Sequence, residues 1–195
     1  MSRPLHIQNL RVTRKDRCIC AFDQLTVEQG ERIHIQGLNG SGKSTLFRVI
    51  AGLEQDYEGQ IDIPAELKPV GFVQQNPYLF RGTVLTNLLY GTSGKSIPHA
   101  DDVAREIADK IEITKLLDRK VKYLSGGERR RVALGRTMIL SPALLLLDEP
   151  FADMDSPGIN ATSNYLNSLR DTTILISSPS PLPEMPLLTR VITMD

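Results

Sequence analysis

The first third of the chain consists of short apolar segments separated by polar turns. Segments 5–12, 18–27 and 31–36 alternate apolar with polar positions and are rich in apolar residues, which predicts three β-strands. Two more strands are expected at 59–63 and 70–74. The chain therefore begins as a β-rich region.

The pattern changes to helical periodicity after Gly37. A glycine-rich segment at 37–44 leads into STLFRVIAGL, where apolar residues recur at the spacing of a helix. Residues 83–118 have the same periodicity, interrupted by a loop at 91–98. This stretch predicts a small helical subdomain, inserted over about residues 76–140.

Helices and strands alternate in the last third. A helix is expected from 126, an apolar strand at 143–147, a helix at about 156–169, and strands in TTILIS and RVITM. Strands that are apolar on both faces and alternate with helices are typical of a parallel sheet covered on both sides. The predicted fold is therefore α/β, a single domain over 1–195 with a β-rich N-terminal region, a mostly parallel core sheet and the helical insertion.

Composition excludes some function classes. The 195 residues carry 23 basic and 23 acidic side chains, so no overall field attracts nucleic acid, and no nucleic-acid partner is expected. Cys18 and Cys20 are two residues apart in a predicted strand, which predicts two core thiols on one face rather than a disulfide or a metal site. Without a membrane-length apolar run or a signal-like start, the chain is expected to be cytoplasmic.

The glycine-rich segment GLNGSGKS has the spacing of a phosphate-binding loop, between a predicted strand and a predicted helix. Its glycines let the backbone wrap around phosphates, Lys43 would reach the β- and γ-phosphates, and the Ser44 hydroxyl would bind Mg²⁺. An ordinary glycine turn is the alternative interpretation. The residues predicted to bind the nucleotide are Gly37, Asn39, Gly40, Ser41, Gly42, Lys43, Ser44 and Thr45.

The strand ALLLLDEP ends in two carboxylates. Open α/β sheets bind ligands at the carboxyl ends of their strands. Asp148 is therefore predicted to hold Mg²⁺, directly or through water, and Glu149 to orient and deprotonate an attacking water. The alternative is a pair of solvated acids at the start of a loop.

LSGGE at 124–128, followed by RRRVALGR, makes the resemblance specific: over about residues 5–178 the chain resembles the ATP-binding subunit of an ABC transporter. The resemblance implies a P-loop NTPase fold in which the N-terminal strands form an antiparallel β subdomain, and it implies ATP and Mg²⁺ as cofactors. It also implies a head-to-tail dimer, either homodimer or heterodimer, in which Ser125, Gly126 and Gly127 contact the γ-phosphate held by the second nucleotide-binding subunit. From the residues alone, Ser125 could equally cap a helix, and the two roles are compatible.

The resemblance further implies separate membrane permease subunits and a peripheral position at the inner face of the cell membrane. Gln75 matches a glutamine that contacts Mg²⁺ and water, and Asp155 matches an aspartate of the loop after the acid pair. Residues 78–80 lie in the segment that meets the membrane subunit in this family, although an apolar segment of this kind could also be core.

Two positions depart from the family pattern. The strand TTILIS normally leads to a histidine that contacts the γ-phosphate; here Pro179 takes its place, and Ser177, Ser178 or Ser180 offers a hydroxyl or simple turn chemistry. Prolines at 179, 181, 183 and 186 predict an irregular surface segment. His34 alternates within a strand, which predicts a core or sheet-face residue.

The first turn, TRKDR, lacks the aromatic residue that stacks on adenine in the family. Phe22 falls in a strand and is expected to pack in the core, whereas the guanidinium of Arg14 or Arg17 could stack on the base instead. Nucleotide affinity and base preference are therefore open at this point.

Three functions follow from these patterns. The first is an ATPase that powers transport of a solute, slowed by the loss of the histidine at Pro179. The second is an ATP-dependent dimerisation switch that hydrolyses little ATP, against which Glu149 argues. A nucleotide kinase is the third, and LSGGE about twenty residues before LLLLDEP disfavours it.

Overall fold

A computed structural model describes residues 3–92 and 97–194. Eight strands form its two sheets: β1 (Leu5–Arg14), β2 (Arg17–Val27), β3 (Arg32–Gly37), β4 (Glu58–Asp62), β5 (Val70–Val73), β6 (Leu144–Asp148), β7 (Thr173–Ser178) and β8 (Arg190–Met194). Five α-helices accompany them: α1 (Lys43–Ile50), α2 (Val84–Leu89), α3 (Ala100–Lys110), α4 (Gly126–Met138) and α5 (Ser156–Ser168).

The strands separate into a parallel sheet, which the patterning predicts, and an antiparallel sheet, which the family resemblance implies. The antiparallel sheet has the order β2-β1-β4, and the parallel sheet the order β5-β6-β7-β3-β8. Helices α2, α3 and α4 come between β5 and β6 in the chain. Every strand of the parallel sheet points the same way, so the ends of β3, β6 and β7 lie at one edge.

Burial on both faces of the parallel sheet explains the continuous apolar run in β6. Leu145 and Leu147 join a core cluster with residues of helices α2 to α5. Leu144 and Leu146 join a second cluster with residues of β1, β2 and α1. Successive side chains of a strand point to opposite faces, so a strand buried on both faces has an apolar residue at each of these positions.

Helical periodicity over 83–118 overstated the length of the helices. The structure has α2, a 3₁₀ turn at Tyr90–Thr92, α3 and a further 3₁₀ turn at Thr114–Leu116. Of the loop predicted at 91–98, residues 93–96 lie outside the described residues. The helix after the phosphate loop is also shorter than the pattern suggested, because α1 ends at Ile50 and leaves Leu53 exposed.

The prediction that Cys18 and Cys20 share a buried face is wrong for Cys18. Cys20 is buried, whereas Cys18 is exposed. A shift in register explains the difference: Val12 pairs with Cys20 but Thr13 pairs with Cys18, so the strand bulges at Ile19 and breaks the alternation. Burial is the main cause that raises the pKa of the Cys20 thiol to about 11, and the nearby Cys18 thiol raises it further.

Within residues 3–92 and 97–194, no helix has both the length and the apolar character needed to cross a lipid bilayer.

Candidate functional site

The phosphate loop connects the end of β3 to the start of α1, as predicted. Gly42 precedes the helix with φ of 95°, and a Cβ atom there would lie 2.4 Å from the carbonyl oxygen of Ile19. Only glycine combines a left-handed backbone with this close approach to β2. The loop therefore packs directly against the antiparallel sheet.

A pocket of about 370 Å³ opens between the loop and the ends of the neighbouring strands. Its lining combines predicted residues of both motifs with the predicted Gln75 and with Ile19, which was not predicted. The lining residues are Ile19, Asn39, Gly40, Gly42, Lys43, Ser44, Thr45, Gln75 and Glu149. The Lys43 ammonium donates hydrogen bonds to the carbonyl oxygens of Gly37, at 2.7 Å, and Leu38, at 2.8 Å. The charge is thus held at the loop itself.

Two of the eight residues predicted in the phosphate loop lie outside this lining. Gly37 is buried at the end of β3, where a Cβ atom would lie 2.3 Å from the carbonyl oxygen of Met194. Ser41 lines an adjacent pocket with Cys18 and Cys20, and its hydroxyl is buried. These two residues shape the loop in this structure and do not face the shared pocket.

Asp148 and Glu149 are consecutive, yet they are held in different surroundings. Asp148 is 3% exposed, and the Ser177 hydroxyl donates to its carboxylate over 2.5 Å. Glu149 adopts a left-handed backbone, with φ of 49°, and its carboxylate accepts a hydrogen bond of 2.9 Å from the amide of Gln75. Only the Glu149 side chain reaches the pocket lining.

The amide orientation of Gln75 fits a role beside Mg²⁺. A carboxylate only accepts hydrogen bonds, so the Gln75 nitrogen must face Glu149 and its carbonyl oxygen is left for a cation. The exposed Ser44 hydroxyl is a second oxygen donor, and the Asp148 carboxylate, which is buried outside the pocket lining, is a third. Magnesium is usually held by one or two carboxylates together with phosphate oxygens. The predicted metal set is therefore chemically suited to Mg²⁺.

Ser125 begins α4 as its N-cap. Its hydroxyl accepts from the Glu128 backbone at 3.2 Å, and the Glu128 carboxylate accepts from the Ser125 backbone at 2.7 Å. This reciprocal pair is a capping box. Gly126 and Gly127 form the first turn of the helix, and none of the three residues lines the pocket of their own chain.

The turn after β7 lies next to the acid pair. A second pocket, of about 250 Å³, is lined by Glu149 and by both Ser178 and Pro179. The three serines take turn and strand roles: Ser177 binds Asp148, while Ser178 hydrogen-bonds the Nε2 atom of His34 at 3.0 Å and donates to the Ser180 carbonyl oxygen. His34 is buried in the sheet, as predicted.

Sequence reasoning missed Ser177 as a partner of the acid pair. Its buried hydroxyl could have been suspected from one signal, a polar residue inside an otherwise apolar parallel strand. The partner itself follows only from register, because β6 and β7 place Asp148 opposite Ser177.

Arg14 does not take the base-stacking position that the sequence suggested for it. Arg14 forms ion pairs with Glu54, at 2.5 Å, and Asp56, at 2.8 Å, so its guanidinium is engaged away from the pocket lining. Phe22 packs against the core, as expected. Ile19, which sequence reasoning missed, supplies an apolar side chain to the pocket.

Residues 78–80 divide between the two predicted roles. Leu79 is buried in the core, whereas Tyr78 is 69% exposed. Phe80 contacts Tyr78 edge-on and stacks on Tyr90 with ring centroids 3.7 Å apart. The Arg136 guanidinium lies 5.3 Å from the Phe80 ring and donates to the Tyr78 carbonyl oxygen, and burial lowers its pKa. We call Tyr78, Phe80 and Tyr90 the aromatic patch.

Comparison with protein families assigns the fold and these motifs together. The family model described as ABC transporter matches residues 23–152. The chain therefore belongs to the ABC transporter family, and the resemblance predicted from GLNGSGKS, LSGGE and LLLLDEP is confirmed.

Several curated relatives are named as ATP-binding proteins of importers. The chain is 41% identical to the sulfate/thiosulfate import ATP-binding protein CysA 2 of Rhizobium meliloti, over 76% of this chain and 45% of the relative. It is 40% identical to the molybdate/tungstate import ATP-binding protein WtpC of Thermococcus kodakarensis, over 67% and 43%. The chain thus spans less than half the length of these relatives.

Solved structures share the fold. An ATP-binding cassette of an ABC transporter in its ADP conformation matches all of this chain and 88% of its own, with a TM-score of 0.80 and 25% identity. A chain from an inward-facing transporter described as metal-chelate type matches 93% of this chain and 75% of its own, with a TM-score of 0.76 and 27% identity. The predicted antiparallel sheet, parallel core and helical part are confirmed.

Proposed function

We propose that this chain binds Mg·ATP and hydrolyses it to power import of a solute through separate membrane permease subunits. One observation carries the proposal: Lys43, Ser44, Gln75 and Glu149 line a single pocket, in which the Glu149 carboxylate is held by Gln75 at 2.9 Å. The names of the curated relatives support import, and they differ in the solute named, so the solute is not specified.

Hydrolysis of a phosphoanhydride needs positioning and charge stabilisation more than covalent chemistry. The backbone of residues 37–42 and the start of α1 offer N–H groups to phosphate, and the Lys43 ammonium adds a positive charge. Bound Mg²⁺ would neutralise negative charge on the phosphates, with Ser44, Asp148 and Gln75 as the residues that hold it.

Glu149 is the proposed general base. Its carboxylate lines the pocket, and Gln75 fixes its orientation, so Glu149 can accept a proton from an attacking water. Glu149 has a left-handed backbone, with φ of 49°, and strained backbone of this kind clusters at functional sites.

A second nucleotide-binding subunit, identical or related, would complete the site. Ser125, Gly126 and Gly127 lie at the start of α4, where free N–H groups and the helix dipole favour phosphate. They do not line the pocket of their own chain. A head-to-tail dimer would use them on the partner's nucleotide, as the family resemblance implies.

Membrane subunits would bind at the aromatic patch. Tyr78 and Tyr90 are 69% and 50% exposed, and exposed aromatic clusters mark interaction surfaces. The patch follows β5 and Gln75 in the chain and rests on Arg136 of α4. Binding there would hold the chain at the inner face of the membrane.

The direct test is steady-state Mg·ATP hydrolysis by the purified chain and by Glu149→Gln. We expect the variant to lose at least about 100-fold in rate, the contribution of a positioned general base, while it still binds ATP. Glu184→Gln makes the same change at an exposed position and should leave the rate unchanged. Equal rates in Glu149→Gln and wild type would reject Glu149 as the base.

A second candidate, an ATP-dependent dimerisation switch with little hydrolysis, is favoured by Pro179 at the edge of the second pocket. Proline provides neither a side-chain donor nor a titratable group. Dimerisation of wild type with ATP, measured by sedimentation, distinguishes the two: a stable dimer without turnover supports the switch, whereas a dimer that dissociates during turnover supports the ATPase.

A further inference from the structure

Ser177 contacts both members of the acid pair. Its hydroxyl donates to Asp148 Oδ1 over 2.5 Å, and its carbonyl oxygen accepts from the Glu149 backbone N–H over 3.0 Å. Ser177 is 0% exposed and Asp148 is 3% exposed, so water does not compete for the first of these bonds. One residue of β7 thus holds the end of β6 at two points.

The short hydroxyl contact has the length of a hydrogen bond to an ionised carboxylate. A serine hydroxyl that donates to one carboxylate oxygen fixes the rotation of the whole group, which leaves the other oxygen in a defined direction. A buried carboxylate without this donor would lose a charge-assisted bond and could turn.

We propose that Ser177 is a positioning residue that orients Asp148 for Mg²⁺ and anchors the backbone from which Glu149 projects. The inference rests on the proposed Mg·ATP function. It extends that function by assigning metal affinity in part to a residue of β7 that belongs to neither the phosphate loop nor the acid pair.

Outer-shell partners of this kind are expected to affect metal binding strongly. Removing the group that orients a metal ligand typically costs 10- to 100-fold in metal affinity. The contacts of the phosphate loop, including those of Lys43, involve other residues. Loss of the Ser177 hydroxyl should therefore weaken the metal and leave metal-free nucleotide binding alone.

The experiment measures Mn²⁺ binding to the ATP complex of the full chain by electron paramagnetic resonance, and ATP affinity in the presence of a chelator. In Ser177→Ala we expect about a tenfold loss of Mn²⁺ affinity with unchanged metal-free ATP affinity. Ser177→Thr keeps a hydroxyl and suits a strand, so it should retain the wild-type Mn²⁺ affinity.

Thr173→Val is the matched control. It removes another buried hydroxyl from β7, one that accepts a hydrogen bond from Gly30 at 2.8 Å near the opposite end of the strand. Equal loss of Mn²⁺ affinity in Thr173→Val and Ser177→Ala would mean general loosening of the sheet and would overturn the proposal.

Unchanged Mn²⁺ affinity in Ser177→Ala would overturn it as well, while ATP binding by wild type would leave the proposed function standing. If wild type binds no ATP in either condition, the proposed function fails first, and this inference fails with it. Should Ser177→Thr not fold, the comparison of Ser177→Ala with Thr173→Val decides the question alone.

Discussion

The phosphate loop and the turn after β7 lie at the ends of adjacent strands of one sheet, yet they are built in opposite ways. In the loop, Lys43 bonds the carbonyl oxygens of Gly37 and Leu38, all within one short segment. At the end of β7, where the turn begins, Ser177 bonds Asp148 of β6 and Ser178 bonds His34 of β3. The hydrogen bonds of Lys43 thus stay within the loop, whereas those at the end of β7 reach neighbouring strands.

This difference separates binding from turnover. The loop meets the family pattern at each fixed position, so it is equipped to hold phosphates. In the turn, Ser178 and Pro179 line the second pocket with Glu149, and no histidine is among its lining residues. Under the proposed function we therefore expect slow hydrolysis.

Pro179→His is expected to give the largest effect. The second pocket, of about 250 Å³, places Pro179 and Glu149 in one lining, so an imidazole there would lie beside the proposed base. By analogy with one oxyanion-hole donor, the rate of Mg·ATP hydrolysis should rise about 100-fold, with little change in ATP affinity. Single-turnover and steady-state measurements would check it.

Pro186→His is the control, since Pro186 is exposed in the same irregular segment and does not line that pocket. If Pro179→His hydrolyses ATP no faster than Pro186→His, the missing histidine does not limit turnover. The difference between the loop and the turn would then not explain slow hydrolysis.

Gly42→Ala and Gly40→Ala test the loop itself. Both glycines have positive φ, 95° and 89°, but an added Cβ at Gly42 would lie 2.4 Å from the Ile19 carbonyl oxygen, and at Gly40 it would meet nothing within 4 Å. Strain alone should cost Gly40→Ala about 1 kcal/mol in the free energy of unfolding. Strain plus overpacking should cost Gly42→Ala about 3 kcal/mol.

Denaturant unfolding of the two variants measures the difference directly. Equal losses of stability would mean that the loop yields at Ile19, and that its close packing against β2 does not constrain it.

How far the site follows from sequence depends on the same contrast. The spacing of GLNGSGKS fixes Lys43 and Ser44 relative to the start of α1, because a strand, a loop and a helix follow one another without gaps. Gln75 meets Glu149 because β5 and β6 are neighbours in the sheet, an order that the sequence analysis did not predict. Periodicity alone would not have paired them.

Three features could not be read from the pattern. The bulge at Ile19 exposes Cys18 and moves Ile19 to the pocket, since one extra residue reverses the faces of a strand. Arg14 is drawn to Glu54 and Asp56, which are distant in sequence. The bond from Ser177 to Asp148 depends on strand register, and local propensity does not determine strand register.

The smallest expected effect concerns His34, through which β3 contacts the turn. Ser178 donates its hydroxyl to Ser180, so its oxygen is left to accept a hydrogen bond from Nε2 of His34. Burial lowers the pKa of His34, and the bond to Ser178 opposes that shift. Folding therefore favours the neutral ring.

The sign of the pH dependence follows from this preference. Above the pKa of about 6.5 for an unfolded histidine both states are neutral and the full stability is present. As the pH falls below that value, the unfolded chain takes up a proton that the folded chain resists, so wild type loses stability, by at most about 1.4 kcal/mol per pH unit. Loss continues until the lowered folded pKa is passed.

His34→Gln keeps an N–H donor and removes the titration, so its free energy of unfolding should fall less than that of wild type between pH 7.5 and 5.5, by about 1 kcal/mol or less. Denaturant unfolding across this range measures both curves, and His99→Gln makes the same substitution at an exposed position. Parallel curves for wild type and His34→Gln would mean that His34 takes up a proton while folded. In that case the folded protein would tolerate a charged His34 next to Ser178, and burial of the ring would not oppose its protonation.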